Sequence, residues 1–332
     1  MKSQSIKFNG IYFASYSTLV SKKEKEGPIG KYFNYVINDY YYGCETFEKA
    51  LIKMSKNVIK RAINQSDFSK DEIDIAIGGD LTNQIFTTTA AIKEYYFPYV
   101  GLYAACASGI LSIIMGSIFI DCLNMNNALC YSCSHLCVSE KQFRYPNEYG
   151  MQKKETSTQT VTGAGAVILS KYKSKIKITN ATIGKIVDVC SKNVNDMGTI
   201  MAFAAKDTML THLENFNTKI DDYDLILTGD LGITGSDVFI KELLKNKIDI
   251  KSKHQDGGVI IYSKKQKTLS GGSGSGCIMS VLLSYVSEKM ENKELNKVLV
   301  IATGSLHSQV SVWQKETIPA IAHAITLERE NI

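Results

Sequence analysis

One stretch dominates the hydrophobic pattern of the chain. No charged side chain occurs from residue 95 to residue 120, and 101–120 reads GLYAACASGILSIIMGSIFI. By length and composition such a run permits a membrane-spanning helix. It also fits a strand ending near Tyr103, followed by a helix that starts near Cys106 and is buried in protein on every side. The rest of the pattern decides between the two.

Strand-like and helix-like segments alternate around it. Residues 5–14 read as a strand and 21–43 as a long polar loop rich in Gly and Tyr. Residues 44–64 have helical spacing, with Phe47, Leu51, Met54, Val58 and Ile59 on one face. Ser69 opens a turn into a strand at 73–78, which ends in GGDLTNQ. A helix at 87–95 and a short strand at 99–103 lead into the uncharged run. Strands follow at 128–133 and 160–170, separated by a polar loop.

The same order then returns. IKITNATIGKIVD (176–188) stands where the first strand stood, and 196–216 gives the matching helix. DEIDIAIGGDL (71–81) comes back as DDYDLILTGDL (221–231), which makes Asp80 and Asp230 equivalent. The Cys106 helix is answered by GGSGSGCIMSVLLSYV (271–286), strand 128–135 by 298–307, and 163–171 by 321–329; His135 and His307 then correspond. Six matches in one order point to a duplicated unit. Each unit alternates strands and helices, which predicts an α/β architecture with mostly parallel sheets and right-handed crossovers. The halves fall at 1–172 and 173–332, packed about a pseudo-twofold axis, each sending one apolar helix to the shared interior. That arrangement buries the uncharged run without lipid, and its flanks lack the aromatic and basic anchors of a span.

Composition changes this picture little. The 332 residues exceed one small core, and 38 basic against 33 acidic residues give a net charge of +5 with no Arg-rich tract, so no nucleic-acid partner is expected. The first residues, MKSQSIKFNG, lack the apolar core of a secretory signal, which points to a cytoplasmic-type chain whose eight cysteines are reduced. Cys130, Cys133 and Cys137, with His135 among them, offer one Cys-x-x-Cys without a second pair. That is weak support for a zinc site, and buried packing is the preferred reading. No metal ligands are assigned.

Candidate chemistry centres on Cys106, set among Ala104, Ala105, Ala107 and Gly109 at a strand-to-helix junction. Small neighbours allow a sharp turn and close approach of a ligand, and a helix N-terminus favours a thiolate. A cysteine in apolar surroundings is also commonly inert. Both readings stay open from local sequence.

The doubled unit, the cysteine at the first central helix and the Gly-rich start of the second resemble the thiolase superfamily. Within it the chain as a whole resembles a family of stage V sporulation proteins, through KEKEGPIGKYF (23–33), IDIAIGGDLTNQ (73–84), KQFRYPNEYG (141–150), TVTGAGAVILS (160–170), DYDLILTGDL (222–231), KHQDGG (253–258), GGSGSGC (271–277) and VLVIATGSL (298–306). The resemblance implies a five-layered αβαβα fold and a homodimer. It implies binding of dipicolinic acid (pyridine-2,6-dicarboxylate) during its uptake into the developing spore, with calcium as an accompanying ion and no resident cofactor. It also implies work beside membrane-embedded proteins of a spore channel, at the spore inner membrane but not across it.

Condensing relatives in the superfamily use a cysteine nucleophile, a histidine and a second histidine or asparagine. Cys106 matches the nucleophile. Thr228-Gly229-Asp230-Leu231 stands where the histidine is expected, and Gly272-Ser273-Gly274 where the other group is expected. The resemblance therefore implies a non-catalytic protein with a vestigial nucleophile position. The alternative is an acyltransferase or condensing enzyme that uses Cys106 with an unorthodox base such as His307. The ligand is expected to meet Cys106, His135, Asp80, Asn83, Phe143, Asp230, Ser273, Ser305 and His307, with Arg144 and Tyr145 adding charge and wall beside Phe143. His254 and His323 are read as structural.

Overall fold

The computed structural model of the chain describes residues 4–143 and 153–331. The first half runs β1 (Ser5–Ser21), α1 (Lys22–Lys25), β2 (Val36–Ile37), α2 (Phe47–Gln65), β3 (Ile75–Asp80), α3 (Phe86–Ile92), β4 (Tyr99–Gly101), α4 (Ser108–Cys122), β5 (Asn127–Ser134), α5 (Leu136–Phe143), β6 (Gln159–Thr160) and β7 (Gly163–Ser170). The second runs β8 (Ile176–Ile183), α6 (Met197–Phe216), β9 (Leu225–Thr228), α7 (Gly232–Leu244), β10 (His254–Asp256), α8 (Gly257–Ile260), β11 (Gly272–Ser273), α9 (Ser275–Val281), α10 (Ser287–Glu291), β12 (Lys297–Ser305), α11 (Gln309–Trp313) and β13 (Ala320–Arg329). A π-helical turn, Leu282–Val286, joins α9 to α10 into one continuous helix.

The duplication is visible in the strand order, β10-β9-β12-β13-β8-β1-β7-β5-β3-β4. Outward from β1, the chain pairs antiparallel with β7, antiparallel to β5, then parallel to β3 and β4. Outward from β8 the same signs recur through β13, β12, β9 and β10. The halves meet where β1 and β8 pair antiparallel. The expected predominance of parallel pairs is corrected: along this order each half has two antiparallel and two parallel pairs, because β7 and β13 return antiparallel between their neighbours instead of crossing over.

Five layers result. α2 covers β1 and β7 from outside, and α6, with α7 beside it, covers β12 and β13. Between the two half-sheets lie α4 and the helix that begins with α9. Strands covered on both faces need no polar side; every residue of β5 and β7 is buried. The uncharged run gains its reason here. α4 touches β3 and β5 on one side and β12 and β13 on the other. Its hydroxyls are satisfied within the helix: Ser108, Ser112 and Ser117 donate to the carbonyls of Ala105, Gly109 and Ile113 at 2.7, 2.6 and 2.8 Å. The stretch Ala105–Cys122 is long and apolar enough to cross a membrane by length and composition, but most of it is covered by the half-sheets and by the α9 helix.

Other differences have local causes. β1 continues to Ser21, well past residue 14, because β7 pairs with it as far as Val20. The segment read as one polar loop begins with α1, capped by a Ser21–Glu24 box. Glu24 is buried and accepts from Ser21, from the Thr162 N–H at 3.1 Å and from the Tyr262 hydroxyl, so it ties the two halves together. α4 starts at Ser108, two residues later than expected, because Ala105 takes a left-handed conformation (φ 49°). α5, α7 and α11 were not legible in the apolar pattern. His254 and His323 are structural: His254 Nε2 meets Thr228 Oγ1 at 2.8 Å, and His323 Nδ1 accepts from Gly184 N at 3.2 Å.

The central layer depends on close approach. At Gly276 an added Cβ would run into the carbonyl oxygen of Gly163. Gly276→Ala should therefore lower stability by about 1–3 kcal/mol through overpacking. A urea unfolding midpoint unchanged from wild type would contradict this packing.

Candidate functional site

The two central helices begin at the same place. Cys106 lies two residues before α4, and Gly274 immediately precedes α9. Ala105 (φ 49°) and Asp230 (φ 70°) both hold left-handed conformations that cost non-glycine residues free energy, and both adjoin this point. Gly274 (φ 115°) has a conformation that L side chains rarely adopt, and a Cβ there would meet the Ser134 hydroxyl. Its N–H lies close enough to Cys106 and Asp230 to favour the charged form of each.

A cavity of about 70 Å³ opens in front of Cys106. That is several times the roughly 10–15 Å³ a cavity needs to hold one water. Cys106, Ser273, Gly274, Ser305 and His307 line it, with Thr158 and Thr160 from the β6 segment. Tyr103 and Phe143 supply aromatic surface, and Phe143 stands 5.4 Å from the His307 ring, centroid to centroid. Thr158 meets Ser273 through their hydroxyls at 2.8 Å, and Ser305 Oγ lies 3.3 Å from His307 Nδ1. Glu140 also lines the cavity; its charge is paired with Lys153 at 2.9 Å. Tyr103, Phe143 and His307 also line a much larger outer groove, so they stand between cavity and surface.

Electrostatically the floor favours neutral groups. Burial, and then the nearby Asp230 carboxyl, push the Cys106 thiol well above its ordinary range, against the opposing pull of the Gly274 N–H. Asp230 is wholly buried, and neither carboxyl oxygen has a hydrogen-bond partner of ordinary geometry. Burial, and then Asp256, raise its carboxyl well above the carboxylate range; the Cys277 thiol and the Gly274 N–H oppose this. Cys277, on α9 behind the floor, is raised by burial and by the same two carboxyls. Burial lowers His307, which keeps its imidazole neutral near pH 7.

The expected site residues divide. Cys106, Phe143, Ser273, Ser305 and His307 line one cavity. Asp230 lies under its floor and does not line it. Three others are placed elsewhere. Asp80 accepts from the N–H groups of Thr82 and Thr88 at 2.6 and 2.8 Å, and from both hydroxyls at 2.5 Å; it fixes the turn into α3 and has no free oxygen for a ligand. Asn83 lies in the outer groove, its Oδ1 accepting from Gln142 Nε2 at 2.7 Å. His135 is turned away by the tight step from β5 to α5: its Nε2 meets the Tyr40 carbonyl at 2.9 Å, its Nδ1 accepts from Cys137 N at 3.2 Å, and it packs against Phe47. Arg144 and Tyr145 lie outside the described residues.

Asp80 and Asp230 thus occupy equivalent places with different tasks. In the second half the capping task falls to Asp256, which accepts from Thr228 Oγ1, Leu231 N and Gly232 N at 2.8, 3.0 and 3.0 Å. Sequence reasoning missed Tyr103, Thr158 and Thr160 as site residues, whereas Gly274 belongs to the Gly-rich 271–276 loop from which backbone N–H donors were expected. The signal for the threonines was faint: TSTQT is a polar run directly before a buried strand. Among the described residues no cluster of three or more His, Cys, Asp or Glu side chains is arranged to hold a metal, and Cys130 and Cys133 pack separately, against the Ser112 carbonyl and the Ser55 hydroxyl.

Comparison with known proteins follows the fold and then the chain. The human mitochondrial 3-ketoacyl-CoA thiolase in complex with CoA superposes with a TM-score of 0.61 at 11% identity, covering 97% of this chain and 98% of that one. The 3-oxoacyl-[acyl-carrier-protein] synthase III of Aquifex aeolicus gives a TM-score of 0.58 at 14% identity, covering 96% and 100%. Identities this low establish the thiolase-like fold alone. Sequence goes further. Stage V sporulation protein AD of Bacillus subtilis (strain 168) is 38% identical over 320 residues, 96% of this chain and 94% of that protein. The family model for stage V sporulation protein AD (SpoVAD) matches residues 2–328, and the chain therefore belongs to that family of sporulation proteins, built on a thiolase-like fold.

Proposed function

We propose that this sporulation protein is a non-catalytic member of the thiolase fold that binds dipicolinic acid for its uptake into the developing spore. The observation that carries the proposal is the floor of the cavity. Cys106 is held as a neutral thiol beside an unpartnered buried carboxyl, so the group best placed to attack is in its unreactive form. The surroundings favour holding a small flat dicarboxylate. Aromatic surface at Tyr103 and Phe143 matches a ring, and hydroxyls at Ser273, Ser305 and Thr160 match carboxylate oxygens. The start of α4 adds the positive end of a fifteen-residue helix. Repulsion by Asp230, the obstacle raised by the sequence, is relieved when that carboxyl keeps its proton. In the calcium chelate the ligand's own nitrogen and carboxylates would hold the metal, which spares the protein a metal site.

The proposal extends to partners and place. The protein would act beside membrane-embedded channel proteins at the spore inner membrane, and as a homodimer. Exposed Phe86, Tyr96 and Tyr103 surround the β4 end of the sheet and suit such an association.

A second reading has one observation in its favour. Cys106 and His307 line the same cavity, as a nucleophile and base would in an acyltransferase. The raised thiol argues against it.

Titration calorimetry with dipicolinate, with and without calcium, should show saturable binding, weakened about tenfold or more in Ser273→Ala or His307→Ala. Absence of heat at millimolar ligand in both conditions would end the binding proposal. Acyl-CoA incubation followed by intact-mass analysis should give no adduct on Cys106; an adduct abolished by Cys106→Ala would establish the enzymatic reading instead. At pH 8 iodoacetamide should label Cys106 more slowly than the exposed Cys122 and Cys190. Because Asp230 keeps its proton, the neutral isostere in Asp230→Asn should leave that rate within about twofold of wild type. Labelling sped tenfold or more in the variant would contradict a protonated Asp230.

A further inference from the structure

β1 has an open edge in the middle of the molecule. On one side β7 covers it from Tyr12 to Val20. On the other, β8 pairs only as far as Tyr12, and β2 begins only at Val20. Among the described residues no strand covers positions 13–19 on that side. The register shows which backbone groups are exposed there. Val20 N donates across the open side to Tyr35 O at 3.1 Å, whereas Ser21 N donates toward β7, to Thr162 O at 3.0 Å. Such bonds alternate along a strand, and the bulge between Phe13 and Ser15 lies outside the interval. Tyr16 and Thr18 therefore direct their N–H and C=O groups into the gap.

A cavity of about 390 Å³ runs along this edge, well apart from Cys106. Thr18 and Ser17 are only 6% and 4% exposed, and the Ser17 hydroxyl, which lines the cavity, has no hydrogen-bond partner. Buried backbone and hydroxyl groups are nearly always paired in native proteins, so an unpaired set in a roomy slot marks a place for an occupant. The walls describe that occupant. Tyr32 and Tyr35 supply ring faces that already attract Lys31 and Arg61, at 4.8 and 3.5 Å from their centroids. The opposite wall is the π-helical turn and the carboxylates that follow it, Glu288 and Glu291. The Tyr16 hydroxyl donates to Glu291 at 2.6 Å, and Lys175 reaches its other oxygen at 3.4 Å. Glu288 is exposed, and among the described residues no cation pairs with it. π-Helical turns are rare and recur at functional sites.

We propose that this slot receives one extended segment of a partner protein as an added strand between β8 and β2, with a Lys or Arg side chain facing Glu288 and Glu291. The open edge supplies main-chain hydrogen bonds for affinity, and the carboxylates with the tyrosine faces supply selectivity. At about 3.4 Å per residue the gap takes a strand of roughly five or six residues.

The probe is a blocked hexapeptide, Thr-Lys-Val-Lys-Val-Thr, compared with its Glu-for-Lys counterpart and with spermidine, on the full chain. The basic peptide should bind saturably by fluorescence anisotropy and slow amide hydrogen exchange at Tyr16 and Thr18 at least tenfold. The acidic peptide should do neither. Glu288→Lys combined with Glu291→Gln, checked for folding by thermal melting, should weaken the basic peptide tenfold or more. Amides of Tyr16 and Thr18 already protected in the free protein would overturn the proposal, because the chain would then fill its own edge. So would equal binding of both peptides, binding without added protection, or equal protection by spermidine, which would make the slot a small-cation site.

Discussion

The structure turns on two helix starts brought together inside protein. Each helix leaves its first N–H groups without intrahelical partners. In most folds these open to water. Here the starts of α4 and α9 lie between two half-sheets, where main chain, small side chains or a ligand must satisfy them. The requirement for small residues at Ala104, Ala105, Gly109, Gly274 and Gly276 follows from that crowding. A cavity at the meeting point is a consequence of the architecture before it is a feature of any chemistry.

What the cavity does with its occupant depends on three aspartates. A buried carboxylate is tolerable when donors surround it and costly when none do. Asp80 and Asp256 have their donors and serve as internal caps. Asp230 has none of ordinary geometry and is driven toward its neutral acid. Beside it the Cys106 thiol is driven the same way. A nucleophilic site needs the opposite, a thiolate supported by a nearby cation or base. Under the proposed function the cavity therefore holds its occupant without attacking it.

Much of this was legible in the sequence because the duplication writes every element twice. DEIDIAIGGDL beside DDYDLILTGDL located β3 and β9, and the answer to the uncharged run located α9. Cys106, Ser273, Ser305 and His307 could be named because they stand at strand ends or helix starts that converge in such a fold, and Phe143, the last residue of α5, because it lies in the KQFRYPNEYG motif. Direction was not legible. His135 and His307 end equivalent strands, but α5 follows β5 at once and swings His135 outward, whereas no helix follows β12 until Gln309. Asp80 and Asp230 share a position in the repeat, yet only Thr82 and Thr88 distinguish a capped carboxylate from an orphaned one. The long reach of β1 past residue 14 was hidden because Tyr and Ser there lie along an open edge, which an alternation of apolar and polar residues does not mark.

The most direct test of the account is a crystal structure of the protein grown with saturating dipicolinate. The account predicts ligand density in the cavity in front of Cys106, the ring against Phe143 and Tyr103 and a carboxylate within hydrogen-bond distance of Ser273 or Ser305, with no bond to the Cys106 sulfur. Density at another site, or a covalent adduct on Cys106, would contradict it.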